Sequence, residues 1–346
     1  MVRLMDCTLR DGANVVGKGF DAEITKIVLD ILTESNVPII EFGNAGGIGA
    51  YEVAGFTNAL TDMEYLDLVQ PYLGKSEIGM FLNAKRFREP NVELAASKGM
   101  KFLRCGADAG DARKISEIPV KTIKKCGMKA YYSAMKAYLL TPEELAEEAK
   151  FLESIGLDEF TIMDSAGTMM PDDVKRATEC CKNAIKIPVA FHCHNNLGLS
   201  AANAIAAYES GADILDCGLM GMARSAGNLP TEAAVAFMQK YGEFKNIDLY
   251  AMLNGIDQRL LPAMEKHSYH DAIPPYDLIL GVSGAHSSFG KTFKAVAKDT
   301  GVDLYKLIVE VSKINRKNPS EDLMREVAVS YRITCNNGNQ RTLINP

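Results

Sequence analysis

Short apolar, β-branched runs alternate with amphipathic stretches eight times over roughly the first 240 residues, a spacing read from the 2.0 and 3.6 periodicities of strand and helix. The candidate strands are Val2–Asp6, Ile39–Phe42, Glu77–Leu82, Phe102–Cys105, Lys129–Ala134, Glu159–Met163, Pro188–His192 and Ile214–Cys217. Helices are expected between them, among others at 22–35, 142–155, 171–185 and 199–210. Thr141-Pro142-Glu143-Glu144 and Met170-Pro171-Asp172-Asp173 place proline and acids in a first helical turn, where free N–H groups and the helix dipole favour them. Gly156 and Gly211 close helices before the next strand. Eight such units match the size of an α/β fold of the closed (β/α)8 TIM-barrel type. An open doubly wound sheet is disfavoured, because no dinucleotide-type glycine turn follows the first strand. Beyond about residue 245 the pattern becomes helical without strong strands. The expected organisation is a TIM-barrel domain over 1–245, a small C-terminal helical extension over 246–332, and an irregular polar tail over 333–346.

Composition narrows the function classes. With 47% hydrophobic residues the chain can fill a large core, and a net charge of −6 without a basic run argues against nucleic acid as a partner. No apolar stretch approaches about 18 residues, so no membrane span is expected, and Asp6 comes too early for a signal peptide. The eight cysteines lack C-x-x-C spacing and read as reduced thiols, which points to the cytoplasm.

Chemistry concentrates in Phe191-His192-Cys193-His194-Asn195. Two of the five histidines stand two residues apart on a candidate strand, so both imidazoles leave one face. Asp11, expected to end the first strand, is a carboxylate of the right type to join them, with His192 and His194 ending the seventh. In a barrel the first and seventh strands lie about 9 Å apart across the eighth, close enough for their carboxyl ends to share an ion. Asn228, in the loop leaving the eighth strand, is placed to add an amide oxygen, directly or through water. Asp11, His192, His194 and Asn228 thus form a candidate site for a divalent metal. Mn²⁺, Mg²⁺, Co²⁺ and Zn²⁺ all suit the donor set, and sequence does not choose among them.

Taken together, Thr8-Leu9-Arg10-Asp11-Gly12, His192–Asn195, the Gly221–Asn228 loop, Asp164-Ser165-Ala166-Gly167 and Ser283–Phe289 resemble motifs of a known family. It is the metal-dependent TIM-barrel superfamily of hydroxymethylglutaryl-CoA lyase-like aldolases and condensing enzymes, especially its 4-hydroxy-2-oxovalerate aldolase branch. The likeness runs to about residue 330. It implies cleavage or formation of a C–C bond in a 4-hydroxy-2-oxo acid, giving pyruvate and an aldehyde. By the same resemblance Arg10 would stabilise the enolate and Ser165 would contact the substrate carboxylate. The small 2-oxo acid is the expected partner. The resemblance also leaves room for a homodimer, and for an acylating aldehyde dehydrogenase docked on the helical extension.

Two positions depart from the aldolase pattern. Asn14 stands where the aldolases carry a catalytic histidine, and His286 stands where they commonly carry tyrosine. Asn14 cannot take a proton at neutral pH, so His286 is the expected proton-transfer group. Asn14 also keeps an acyl-CoA-dependent Claisen condensing transferase open, although Arg224 stands where that branch has an acid. A catalytically lapsed binding or assembly subunit is the third reading. Among other residues, Glu41 is expected to orient Arg10, Lys136 to be solvated, Cys217 to be a small core residue, and His267 and His270 to lie on the surface.

Overall fold

A computed structural model describes residues 1–54, 59–267, 269 and 275–336. Its strands are β1 (Arg3–Asp6), β2 (Ile39–Phe42), β3 (Glu77–Asn83), β4 (Phe102–Asp108), β5 (Lys129–Met135), β6 (Glu159–Asp164), β7 (Val189–Cys193) and β8 (Ile214–Cys217). Every neighbouring pair is parallel, and β1 pairs with both β2 and β8, so the sheet closes into a barrel in sequence order. The expected (β/α)8 architecture is the observed one. The helices at Pro142–Ser154 and Pro171–Ala184 begin where proline and acids announced them, the first with a capping box between Thr141 and Glu144.

The strand pleat sorts side chains into layers. Leu4, Ile40, Leu103, Tyr132, Phe191 and Leu215 face outward into the main core under the helices. Their neighbours Met5, Ile39, Phe102, Tyr131, Ala190 and Ile214 form a separate apolar cluster, as alternation requires of inward positions. Two residues further along the same strands come Cys7, Glu41, Arg104, Ser133, His192 and Asp216, all buried. The barrel interior is therefore mainly apolar at its amino end, where Glu159 is the inward acid, and ionic above it.

β4 and β5 run longer than expected, ending at Asp108 and Met135, which are paired in register. Gly106 explains why sequence missed the extension. It weakens the strand pattern, but a side chain there would collide with the Phe81 ring, so glycine is needed where β3 and β4 meet.

After the barrel, Met252, Ile256, Leu260 and Met264 pack on the main core. A second cluster, built on Leu280, Phe293, Ile308, Val311 and Met324, holds the C-terminal helices Pro275–Ser283, Gly290–Thr300, Leu304–Ile314 and Glu321–Asn336. The helix Pro275–Ser283 was not anticipated, and the last helix continues to Asn336, past the start of the expected irregular tail. Residues 337–346 lie outside the described residues. No described helix is long and apolar enough to cross a membrane.

Glu159, also facing inward, supplies a test of this interior. Burial pushes its carboxyl up to about 8, with the Arg104 cation opposing the shift and Asp216 and Glu41 adding to it. A carboxyl raised in the folded state stabilises below its unfolded value, and that stability is lost as pH climbs through the folded one. Glu159→Gln removes the titration. The variant should match wild type near pH 4.5 and exceed its melting temperature by about 2–5 °C at pH 8.5, read by calorimetry across that range.

Candidate active site

The turn after β1 is built to deliver Asp11. The N–H groups of Arg10, Asp11 and Gly12 all donate to the carbonyl of Cys7, which wraps the chain tightly over the barrel rim. Thr8 ties that turn to the end of β8 by accepting from the N–H of Leu219 at 2.7 Å. Asp11 thus follows β1 by five residues rather than ending it. His192 lies within β7, and His194 stands just past its last residue, bridged to Asn228. This places one oxygen of Asp11 3.5 Å from Nε2 of His192 and 3.6 Å from Nε2 of His194.

Tautomers follow from the partners. Asp216 lies 3.1 Å from Nδ1 of His192, so that nitrogen carries the proton and Nε2 turns a lone pair toward Asp11. Nε2 of His192 is buried and has no hydrogen-bond partner among the described residues, a costly condition that a bound cation would relieve. Burial pushes the His194 imidazole down to about 3, so it is neutral, whereas burial of His192 is outweighed by the Asp11 and Asp216 carboxylates, which raise it above its ordinary value. Burial opposes ionisation of Asp11, yet Arg10 and the two imidazoles hold its carboxyl well below the usual range. One carboxylate and two imidazoles, with donor atoms all within 4.8 Å, fit a divalent metal, whose binding would take the place of any proton at Nε2 of His192. The neighbouring triplet of Cys7, His192 and Asp216 is equally compact but already contains a cation, because Arg104 contacts both Cys7 and Asp216.

Arg104 and Asp216 were not singled out from sequence. Arg104 is fully buried and donates to Glu41 at 2.6 and 2.8 Å and to Asp216. Glu41 in turn accepts from Nε of Arg10 at 2.6 Å, as its position had suggested. The chain Arg10–Glu41–Arg104–Asp216–His192 therefore links the guanidinium at the site to a candidate ligand. A signal was present: each is a lone charge in a four-residue apolar window, and its partners could be assigned only with the barrel closed.

Arg10 also contacts Asp11 at 3.0 Å and lies 5.0 Å above the Phe81 ring, while its Nη2 has no hydrogen-bond partner among the described residues. Ser165 accepts from the Lys136 N–H at 2.9 Å, leaving its own proton free to donate. Lys136 is not solvated as expected. It is buried, paired with Asp108 at 3.2 Å, and donates to the carbonyl of Lys317. Asn228 donates through Nδ2 to Asp11 at 2.9 Å, and its buried Oδ1 has no partner among the described residues. Asn14 donates to Asp11 and accepts from Lys18 and Arg224. Cys217 is a buried core residue, His267 is partly buried, and His270 lies outside the described residues.

His286 reaches this cavity from the C-terminal helices. Gly281 lets Pro275–Ser283 approach the loop after β7, because any side chain would meet Asn196 at 2.7 Å. The same Asn196 donates to the carbonyl of Asp277 at 2.8 Å. His286 then lines one cavity of about 210 Å³ with Arg10, Asp11, Ser165 and His194. Its Nδ1 is held by the N–H and hydroxyl of Ser288, leaving Nε2 for the cavity. Burial, then the cations Arg224 and Lys136, keeps the ring neutral by pushing it well below its usual value.

A parallel barrel with a carboxylate, two imidazoles and an arginine at the carboxyl ends of its strands is the frame of a lyase that handles charge on an oxygen. The chain belongs to the HMGL-like family, whose sequence pattern matches residues 1–257. It is 33% identical over 327 residues to a 4-hydroxy-2-oxovalerate aldolase of Carboxydothermus hydrogenoformans, covering 94% of this chain and 96% of that one. A 4-hydroxy-2-oxovalerate aldolase of Pelotomaculum thermopropionicum is also 33% identical, over 328 residues, with 94% and 95% covered. These relatives make the chain an enzyme of the aldolase class of lyases. In fold it is similar to the N-terminal domain of a putative Bacteroides vulgatus aldolase, with a TM-score of 0.69, 23% identity, and 82% and 93% of the two chains covered. It also superimposes on the carboxyl transferase domain of Rhizobium etli pyruvate carboxylase with a TM-score of 0.77 and 15% identity, over 96% of this chain and 62% of that one.

The loop at Asp164–Gly167 sets the position of His194. Gly167 has φ +58°, and a Cβ there would lie 2.6 Å from the carbonyl oxygen of His194. Gly167→Ala should push His194 off its place and weaken Mn²⁺ binding about 10- to 100-fold, measured by calorimetric titration of folded protein.

Proposed function

We propose that this enzyme is a divalent-metal-dependent aldolase that cleaves, or in reverse forms, the C3–C4 bond of a 4-hydroxy-2-oxo acid to give pyruvate and an aldehyde. The observation carrying this reading is the cluster of Asp11, His192 and His194 donor atoms beside a cavity that Arg10, Asp11 and His194 line, where Nη2 of Arg10 has no partner among the described residues. Asp11, His192 and His194 would hold Mn²⁺ or Mg²⁺, with Co²⁺ or Zn²⁺ also suited and Asn228 as a further oxygen donor. Such an ion supplies a Lewis acid for the keto oxygen.

The protein's own groups divide the remaining work. Arg10 donates from Nη2 to the keto oxygen, where negative charge grows as the C–C bond breaks. Glu41 and Asp11 keep that guanidinium charged and oriented. Ser165 donates its hydroxyl proton to the substrate carboxylate. His286 takes the 4-hydroxyl proton at Nε2, and its neutral state makes this lone pair available near pH 7. Asn14 is engaged with Asp11, Lys18 and Arg224, so it orients the site and transfers no proton.

The reduced thiols Cys7, Cys193 and Cys217 around the barrel mouth support a cytoplasmic setting. A homodimer or a dehydrogenase partner would have exposed apolar side chains to cover. Tyr250, Leu253 and Leu261 lie beside the barrel, and Tyr305, Ile314 and Val329 lie on the C-terminal helices.

Two measurements test the reading. A chelator should abolish exchange of the pyruvate C3 protons with D₂O, and added Mn²⁺ should restore it; exchange that persists in thoroughly stripped enzyme would sink the metal-dependent assignment. His286→Ala should lower aldol cleavage about 10²- to 10⁴-fold while leaving Mn²⁺ affinity in place. Unchanged turnover would remove His286 from the mechanism.

A further inference from the structure

The cavity is more cationic than a single carboxylate requires. Arg10, Lys18, Arg86, Lys136 and Arg224 line it, against the carboxylates Asp11 and Asp108. Those two acids already have partners, Asp11 with Arg10 and Asp108 with Lys136. Arg224 is different. It is partly buried in the loop after β8, and among the described residues it meets no carboxylate within 4 Å. Its one hydrogen bond, at 3.3 Å, goes to the neutral Oδ1 of Asn14.

That same oxygen accepts from Nζ of Lys18 at 3.2 Å. One amide carbonyl thus gathers two cations beside the candidate metal ligand Asp11, and it neutralises neither. Burial and then the charges of Arg224 and Arg86 depress Lys18, with Asp11 opposing the shift. Arg86 adds a third cation, its guanidinium donating to the carbonyl of Gly46 at 3.3 Å. Asn14 reaches from Asp11 to Arg224 across a single side-chain amide, so this cluster lies next to where a substrate bound at Asp11 would extend.

We propose that Arg224, with Lys18 and Arg86, binds a second anionic group, a carboxylate or a phosphate, on the aldehyde half of the substrate. The proposal rests on the aldolase reading and adds the class of substrate: a dianionic or more highly charged hydroxy-oxo acid rather than one ending in an alkyl chain. A guanidinium fork matches the paired oxygens of either anion, and a partly desolvated site strengthens the contact. Asn14, in place of a catalytic base, becomes the residue that positions this recognition element.

The test is aldol addition of pyruvate to matched aldehydes by the metal-loaded enzyme. Succinic semialdehyde is compared with butanal for a carboxylate, and D-glyceraldehyde 3-phosphate with D-glyceraldehyde for a phosphate. At least one anionic member should show kcat/KM above its neutral counterpart by about 10- to 100-fold, the range of a charge-assisted contact. The pair that does so identifies the anion. Arg224→Gln should reduce this ratio about tenfold or more, and Arg224→Lys should recover part of it. Ratios near one for both pairs in wild type, or a ratio untouched in folded Arg224→Gln, overturn the anion site. The wild-type comparison decides the matter even if neither variant folds. Pyruvate proton exchange, run alongside, separates the two levels. Exchange without anion preference removes the second site alone, whereas no exchange in metal-loaded enzyme removes the aldolase reading beneath it.

Discussion

The site depends on one buried cation. Arg104 sits fully enclosed between Glu41 and Asp216, inside a barrel whose lower half is mainly apolar. Burying three charges is unfavourable unless each is paired, and losing one partner from such a group costs about 3–5 kcal/mol. Each carboxylate uses its remaining capacity on a second group. Glu41 reaches Arg10, and Asp216 reaches His192. The geometry of the arginine and the tautomer of the imidazole are thereby set by one ionic layer below them, before any substrate arrives.

That arrangement explains how a neutral imidazole and a charged guanidinium coexist over a single carboxylate. Asp11 touches Arg10 and faces both histidines. Without Asp216, His192 would lose the partner that keeps Nε2 bare. Without Arg104, Glu41 and Asp216 would oppose each other in a low-dielectric interior. The loops add the rest: the turn after β1 carries Asp11, the loop after β6 braces His194, and the loop after β8 supplies Asn228 and Arg224.

The C-terminal helices complete the cavity. A glycine opposite Asn196 allows them to sit on the loop after β7, and the chain then turns His286 inward. Proton transfer in the proposed reaction thus rests on a segment outside the eight βα units. Asn14, which transfers no proton in the proposed reaction, accepts from Arg224 and Lys18 instead.

The period-2 runs and their capped helices determined the barrel, because alternation and helix signals are local properties of the chain. His192 and His194 were legible for the same reason: two residues apart on a strand means one face. Glu41 was legible through its place at a strand end. Arg104 and Asp216 were visible only as isolated charges in apolar strands, and their partners lie 63 and 112 residues from Arg104 along the chain. The buried pairing of Lys136, the approach of Pro275–Ser283 and the turn of the Asn14 amide toward Arg224 were likewise decided by tertiary structure. Such contacts form between segments far apart in sequence that become neighbours only in the folded barrel, and no local pattern encodes which side chains meet there.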